Sequence, residues 1–428
     1  MNWTTEQILG LAPDQFTLRA GRGLAEPQKW IALHHADDTV WGIHPNGRNQ
    51  TTETAVYLPT FSYLCTCNSR KAPCRHSLAL LQLWQQHAHK FTPQPPNRRL
   101  ATWAKREQIK QQRPNGRSQP HNLPQLKTGL DALELWLLDM VRHGLARLPE
   151  RPQAYWDTMA HRLVDTQALP LAQTVRHLAQ LPKTQPDWPE QTLQEIGRLY
   201  LIIQGFRQFE QLPATTQADL QTAVGWLPTS TENPPISDNW LVLGRQQEPA
   251  GSQTRHTTWL WGQETQITAQ LIDLSRSAVP EGSWLPSGSA WRGALQFAPS
   301  GWPQIAVRHG QLQAIAAPAI APVGFASIRT ATQAYGRSLA ANPWLAHFPM
   351  LLPNVQPKPT ESGWQLEDPS GTWLPLPDKF SHGWHLLALA GGRFDLTIFG
   401  VWNGRCLTPF TVHAQQTWQD ILIWRGAK

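Results

Sequence analysis

The stretch Cys65-Thr-Cys67-Asn-Ser-Arg-Lys-Ala-Pro-Cys74-Arg-His76 holds three of the four cysteines of this 428-residue chain, and a histidine closes it. Three thiolates and one imidazole complete the tetrahedral shell that Zn²⁺ takes in structural sites. Clustered cysteines in a reducing compartment typically bind metal rather than pair as disulfides. We therefore predict that Cys65, Cys67, Cys74 and His76 bind one structural Zn²⁺ ion.

The spacing and the local charge both favour zinc. The two ligand pairs are Cys-x-Cys and Cys-x-His, and the six residues between them are enough for a turn that brings both pairs to one ion. Three thiolates, Zn²⁺ and a neutral imidazole give the site a net charge of about −1. Arg70, Lys71 and Arg75 lie beside the ligands and offset that charge.

Other histidines are alternatives to His76. His87 and His89 follow on the predicted helix and can in principle replace His76, but the spacing favours His76. Three more histidines lie further away: His34, His35 and His44. We expect these three to face solvent or to form local hydrogen bonds.

The remaining cysteine, Cys406, stands alone far along the chain. It is interpreted as a buried, small hydrophobic residue rather than a reactive thiol.

The residues around the ligands predict a small ββα module. From Thr51 to Leu64 the apolar side chains alternate loosely, which is typical of extended structure. After His76, apolar residues recur at helical spacing through Leu78, Leu81 and Trp84. We therefore predict the order strand, strand, zinc loop, helix over residues 51–90.

The composition of the rest of the chain predicts a multidomain α+β protein. Residues 128–228 show the 3,4 apolar spacing of helices, punctuated by prolines, and predict a central helical domain of four or five helices. Short apolar runs between Gly, Pro and Ser predict a C-terminal β-rich domain at 229–428, with one helix at 328–341. Residues 1–50 form a lead-in with two predicted strands, 30–33 and 39–43.

Tryptophan is concentrated in the C-terminal domain, where 13 of the 22 tryptophans lie. Two interpretations remain open. The indoles either fill the cores of small β-layers or form an aromatic binding face.

The positive charge of the chain is concentrated in one segment. Residues 90–127 hold nine basic residues against one acid, Glu107, and so carry +8. The whole chain carries +7, so the rest of it is close to −1. The ends of the segment are rich in proline, and it is predicted to be a basic linker over 91–127 that contains a short polar helix at 100–112.

The ligand pattern Cys-x-Cys-x(6)-Cys-x-His resembles the SWIM zinc finger, and the strand-like residues 55–58 and the apolar helix 78–83 extend the likeness. This resemblance implies that Cys65, Cys67, Cys74 and His76 are zinc ligands, in a module that binds DNA or other proteins. The whole architecture is similar to that of stand-alone bacterial SWIM proteins from gene clusters with MoxR-type AAA ATPases and von Willebrand factor A proteins. These proteins are therefore the expected partners.

Several patterns argue against an enzyme. A catalytic zinc keeps one coordination position open, whereas four protein ligands close the shell. The chain contains no His-Glu-x-x-His string, no Gly-x-x-x-x-Gly-Lys-Ser/Thr phosphate loop and no Gly-x-Ser-x-Gly elbow. We therefore expect a protein without catalytic activity.

The apolar stretches indicate a cytoplasmic protein that does not enter a membrane. The N-terminus lacks the basic region and apolar run of a secretory signal. The most apolar stretch, 315–326, contains two prolines and is shorter than the ~20 residues that span a bilayer.

Two classes of function follow. The first is a protein-interaction adaptor, in which the helical and Trp-rich domains provide the surface. The second is a DNA- or RNA-binding protein that uses the finger and the basic segment. The cations available for phosphate contact are Arg70, Lys71, Arg75, Arg98, Arg99, Lys105 and Arg106.

Overall fold

A computed structural model shows a mixed α+β protein with three β-sheets and a helical central region. The structure describes residues 8, 11–12, 15–47, 50–59, 61–69, 71, 73–112, 122–184, 187–227, 233–250, 253–275, 285–302, 304–316, 322–361, 363–414 and 417–421.

The N-terminal part is a five-stranded sheet with helices on both faces. The strands run in the order β4-β3-β2-β1-β5, and all pairs are antiparallel except β1 with β5. The sheet therefore joins strands from the lead-in and from the finger into one layer. Its elements are α1 (Gln15–Leu24), β1 (Ala32–Ala36), β2 (Thr39–Pro45), β3 (Thr51–Tyr57), β4 (Ser62–Cys65), α2 (Arg75–His87), β5 (Thr92–Pro93) and α3 (Arg98–Gln112).

The alternation of side chains along β2 and β3 explains why both faces are covered. Neighbouring residues of a strand point to opposite faces. Val40 and Val56 are paired in register and lie in the same core cluster as the apolar face of α2. Trp41 and Ala55 are paired one position along and pack with Leu100 of α3.

The first strand differs from its sequence-based prediction. The apolar run 30–33 predicts a strand that ends before His34, but β1 continues through His34 and His35 to Ala36. The turn between β1 and β2 therefore follows the two histidines and includes Asp37, which takes a positive φ of 46°. The strand continues through the histidines because β1 pairs on both sides, with β2 and with β5.

The basic segment contains a helix that packs on the sheet. Helix α3 buries Leu100 and Glu107, and Trp103 packs against the same cluster as Leu100. The polar helix predicted for 100–112 is therefore confirmed, with its start at Arg98. Residues 113–121 of the segment lie outside the described residues.

A substitution at Leu100 tests this packing. Leu100→Ala should cost about 2–5 kcal/mol, because it leaves a cavity between α3 and the sheet. The basic residues of α3 should then be cleaved by trypsin several times faster than in the native chain. The matched control is Ile109→Ala, since the side chain of Ile109 is exposed on the same helix. Equal cleavage rates in both variants would show that this segment is a solvated linker.

The central region is helical, as the proline-punctuated pattern predicts. One apolar core joins its helices, and Asn122 caps the first of them by accepting a hydrogen bond from the backbone N–H of Gln125 at 3.0 Å. The helices are α4 (Leu123–His143), α5 (Gln153–Asp165), α6 (Leu169–Leu178), α7 (Leu181–Thr184), α8 (Trp188–Arg207) and α9 (Ala214–Ala223).

Asp187 is the N-cap residue of α8, but its carboxylate has a role other than capping. It makes no capping hydrogen bond to the backbone of the helix. It accepts two hydrogen bonds from Arg405, at 3.1 and 2.9 Å, and one from the side chain of Gln191 at 2.7 Å. The carboxylate thus links the helical region to the C-terminal sheet.

The C-terminal half contains two antiparallel sheets. The middle sheet has the order β10-β9-β6-β7-β8 and the last sheet has the order β13-β12-β11-β14-β15-β16. The predicted helix at 328–341 is confirmed as α10, with a capping box at Ser327 and Thr330. The elements are β6 (Ile236–Ala250), β7 (Gln253–Gly262), β8 (Thr268–Ser275), β9 (Ala290–Phe297), β10 (Ala306–Ile315), α10 (Ile328–Ala341), β11 (Phe348–Thr360), β12 (Gly363–Glu367), β13 (Trp373–Pro375), α11 (Gly383–Ala390), β14 (Leu396–Trp402), β15 (Leu407–Ala414) and β16 (Thr417–Asp420).

The middle sheet is shared between two cores. Trp240 and Val242 of β6 belong to the cluster that also contains the N-terminal sheet and α2. Leu241 and Leu243, on the opposite face of β6, pack with Phe399 of the last sheet. The N-terminal sheet and α2 are therefore not a detached module, since their core continues into the middle sheet.

Tryptophan serves mainly as core in this half. Trp240, Trp259 and Trp291 are almost completely buried. Trp373 and Trp384 are the large exposed indoles among the described residues. The core interpretation therefore holds for the middle sheet.

Among the described residues, no helix combines the length and the apolar character needed to cross a membrane.

Candidate metal centre

The four predicted ligands come together at the junction of β4 and α2. Cys65 is the last residue of β4, and Cys67 follows it in the loop. Cys74 is the N-cap residue of α2, and His76 lies in its first turn. One ligand pair therefore comes from the end of a strand and the other from the start of a helix, as the spacing predicts.

The geometry of the cluster fits a single ion. The ligand atoms of Cys65, Cys67, Cys74 and His76 all lie within 4.8 Å of one another. The Sγ atom of Cys65 is 3.9 Å from Nδ1 of His76, close to the separation of two ligands on one tetrahedral zinc. All four cysteines of the chain are free thiols, and Cys406 is half-buried outside the cluster.

The thiols strongly affect one another. The hydrogen bond between Cys65 and Cys74 lowers the pKa of Cys74 to about 3, so one thiolate forms readily. The same hydrogen bond, together with burial, raises the pKa of Cys65. Burial also raises the pKa of Cys67. Three thiolates packed this closely need a cation between them, which a metal ion would supply.

Hydroxyl groups of the surrounding elements orient two of the sulfur atoms. The hydroxyl of Thr54, fully buried on β3, is 3.1 Å from Sγ of Cys65. The hydroxyl of Ser77, fully buried on α2, is 3.5 Å from Sγ of Cys74 and donates to the carbonyl oxygen of Cys74 at 2.9 Å. Such hydrogen bonds fix ligand rotamers and tune metal affinity.

The N-terminus of α2 provides an electrostatic field that favours the thiolate ligands. The N-terminus of a helix carries a partial positive charge, which stabilises anionic ligands nearby. Lys71 and Arg75 are exposed beside the cluster, and the ammonium of Lys71 lies 5.2 Å from the centre of the Phe16 ring on α1. Arg70, the third predicted cation here, lies outside the described residues.

Helix α1 lies close against this first turn of α2. A Cβ atom added at Gly21 would lie 3.2 Å from the Cβ of Leu78 and 3.4 Å from the carbonyl oxygen of Arg75. A glycine at this position therefore permits the close contact that holds α1 on the helix bearing His76.

His44 is a neighbour of the cluster, although its distance along the sequence suggests that it lies away from the ligands. Its ring lies 5.3 Å from the ring of His76 and 5.3 Å from that of Trp30. Burial, followed by the electrostatic effect of the nearby His76, lowers the pKa of His44. The position of His44 on β2, the strand that pairs with β3, could have revealed that His44 lies near the cluster. The pairing of β2 with β3 is not visible, however, before the fold is known.

The alternative ligands on the helix lie away from the cluster. His87 ends α2, about 16 Å along the helix from His76 at 1.5 Å per residue. His89 contacts His87 rather than the cluster.

The two histidines of β1 also have other partners. His34 bonds the hydroxyl of Thr92 at 2.7 Å, and His35 packs on Trp84. His76 is therefore the imidazole that joins the three cysteines.

The role of Thr54 leads to a prediction. Thr54→Val keeps the shape of the side chain but removes the hydroxyl beside Cys65, so metal affinity should fall about 10–100-fold. Competition with a chromophoric chelator measures that change. Thr52→Val is the matched control, because Thr52 is also buried on β3 and has no hydrogen bond to a cluster sulfur among the described residues. Unchanged affinity in Thr54→Val would remove this residue from the metal centre.

Comparison with known families identifies the helical region. Residues 123–224 match the SWIM-associated four-helix bundle domain. This range runs from α4 to α9. Comparisons with curated proteins and with solved structures gave no significant match. The match to this bundle domain and the Cys/His cluster are together consistent with a SWIM-type protein.

Proposed function

We propose that this SWIM-type protein binds one structural Zn²⁺ ion at the cluster and acts as a non-catalytic adaptor between protein partners. The observation that carries the adaptor role is an exposed apolar surface on the SWIM-associated bundle. MoxR-type AAA ATPases and von Willebrand factor A proteins are the proposed partners, on the basis of the family resemblance.

Two helices of the bundle expose apolar side chains in strips. Leu135 is 70% exposed and Leu193 is 59% exposed. Helices α4 and α8, which carry them, pack against each other. Each strip covers about a third of its helix at 100° per residue. The strips consist of Leu135, Leu138 and Val141 on α4 and Leu193, Tyr200 and Leu201 on α8.

Exposed apolar patches of this kind mark interaction surfaces. Other faces of both helices are already buried in the bundle core, through residues such as Leu133, Leu137 and Ile196. The strips are therefore not needed for the packing of the described residues, which supports their use by a partner.

A capture experiment with the zinc-loaded full chain tests the adaptor role. The double variant Leu135→Lys/Leu193→Lys should lose at least about 10-fold in affinity for a MoxR-type ATPase or a von Willebrand factor A protein, because each lysine ammonium would be desolvated in an apolar interface without a partner. Leu274→Lys is the control, since Leu274 is half exposed on β8, outside the bundle. If both variants retain the partner, or if nuclease abolishes capture, the adaptor proposal fails.

The second candidate is nucleic-acid binding, which the arrangement of charges on α3 favours. Arg98 and Lys105 lie one heptad apart and therefore align along one side of the helix, as do Arg99 and Arg106. All four side chains are exposed. The opposite face of α3 is anchored on the sheet by Leu100. An ordered basic face, held in place, is suited to a phosphate backbone.

Neutralising this face separates the two candidates. The variant Arg98→Gln/Arg99→Gln/Lys105→Gln/Arg106→Gln should weaken DNA or RNA binding. It should also reduce the slope of log K against log salt by about 0.9 for each duplex phosphate that is no longer neutralised. An adaptor should bind its protein partner unchanged. Arg142→Gln/Arg147→Gln/Arg162→Gln/Lys183→Gln, on the exposed surface of the helical region, removes the same four positive charges and controls for the change in net charge.

A further inference from the structure

A cleft of about 700 Å³ lies between the helical bundle and the strands that follow it. Helices α6, α8 and α9 form one wall. Strands β6, β7 and β8, with the segments 298–305 and 342–347, line the other. This volume lies within the range of about 300–1,000 Å³ that is typical of small-molecule sites. The metal cluster is not part of its lining.

Two arginine side chains and the imidazole of His347 line the cleft. Arg198 comes from α8, Arg255 from β7 and His347 from the segment before β11. The guanidinium of Arg198 donates to the carbonyl oxygen of Trp344 at 3.4 Å, which places it beside that segment. The side chain of His347 is exposed and lines the cleft. Desolvation by the surrounding groups, followed by the charges of Arg198 and Arg255, lowers the pKa of His347 to about 4.

Arg255 has few partners for its charge. Its cross-strand neighbour on β6 is Glu248, which is close enough to affect its pKa, although burial still lowers that pKa. Within the part of the chain that the structure describes, its guanidinium makes no hydrogen bond or ion pair. A guanidinium placed in this way retains most of its five donors for a ligand.

The walls of the cleft also present unused hydrogen-bond donors. Nε1 of Trp302, Nε1 of Trp344 and Nε2 of Gln304 are buried and have no acceptor among the described residues. All three residues line the cleft. These nitrogen atoms can only donate, and a buried donor without a partner is destabilising. The group that would satisfy them is therefore an acceptor.

Two carboxylates of the cleft already have hydrogen-bond donors of their own. Asp219 accepts hydrogen bonds from the hydroxyl of Ser300 and, at 2.9 Å, from the backbone N–H of Gly301. Glu248 accepts from the side chain of Gln246. The third, Glu195, lies one turn before Arg198 on α8. Among the described residues, no hydrogen bond or ion pair joins these carboxylates to Arg198 or Arg255.

We propose that this cleft binds a small anionic molecule, whose phosphate or carboxylate group is held by Arg198, Arg255 and His347. Because its walls come from both the bundle and the sheets, the ligand would tie these two parts of the chain together. This binding site is independent of the metal centre and of the adaptor surface.

Thermal unfolding of the zinc-loaded full chain tests this proposal with three probes: inorganic phosphate, ADP and citrate. Each is compared with sodium chloride at the same ionic strength. At least one probe should raise the unfolding midpoint in a saturable way. A response to ADP and phosphate identifies a phosphate ligand, and a response to citrate alone identifies a carboxylate ligand.

Substitutions locate the site. Arg198→Gln and Arg255→Gln should each weaken the effective probe about 10–100-fold, since each removes charge-assisted hydrogen bonds. Arg337→Gln, on the exposed face of α10, should bind as the native chain does. Arg255 lies in an inner strand of the middle sheet, so Arg198→Gln on α8 provides the second variant if Arg255→Gln fails to fold. The proposal is wrong if no probe exceeds sodium chloride, or if Arg198→Gln binds normally.

Discussion

Replacing Cys74 by serine is expected to release the metal and to unfold the N-terminal module. Cys74 is 3% exposed, supplies one of the four ligand atoms and is the N-cap residue of α2. Structural zinc binds zinc-finger peptides with an apparent free energy on the order of 10–16 kcal/mol, so losing the ion should strongly destabilise the elements that hold it. The loss of α2 helicity by circular dichroism and the loss of bound metal measure the effect.

Two controls separate the metal from the substitution itself. Treating the native chain with a strong chelator should reproduce the unfolding without any mutation. Cys406→Ser should keep both metal and fold, because Cys406 lies just before β15, outside the cluster. If Cys74→Ser retains one metal per chain, the assignment of the ligands is wrong.

Replacing Trp240 by alanine should cost about 3–5 kcal/mol, the usual penalty for truncating a fully buried large aromatic residue. Trp240 is fully buried, and its Nε1 donates to the carbonyl oxygen of Gly293 at 2.9 Å. It also belongs to the core cluster that contains Leu80 and Leu81 of α2. The substitution should therefore also speed the removal of metal by a chelator, although Trp240 is not a ligand.

Trp373→Ala is the matched control, because Trp373 is 54% exposed on the edge strand β13 and its truncation should change stability by less than about 1 kcal/mol. Urea unfolding and chelator kinetics provide the two measurements. If Trp240→Ala lowers stability but leaves the rate of metal removal unchanged, the finger and the middle sheet do not share a cooperative core.

The metal cluster could be predicted because its information is local. Four ligands within twelve residues, a strand before them and a helix after them are enough to place Cys65 and His76 together. The packing of α3 on the sheet was harder to predict from the sequence than the metal cluster. Leu100, Trp103 and Glu107 recur at helical spacing, but proline-rich ends and high charge made the same segment look like a linker.

The remaining features depend on contacts between distant parts of the chain. The shared core of α2 and β6, the contact of His44 with His76 and the ion pair of Asp187 with Arg405 all join elements whose pairing no local pattern specifies. The cleft likewise forms only where the bundle meets the sheets.

The central claim is that Cys65, Cys67, Cys74 and His76 hold one zinc ion. Elemental analysis of the purified native chain measures this directly, without assumptions about partners. We predict one zinc per chain, retained through dialysis against metal-free buffer at neutral pH. A native chain that is folded but contains no zinc, or a different stoichiometric metal, would contradict the account.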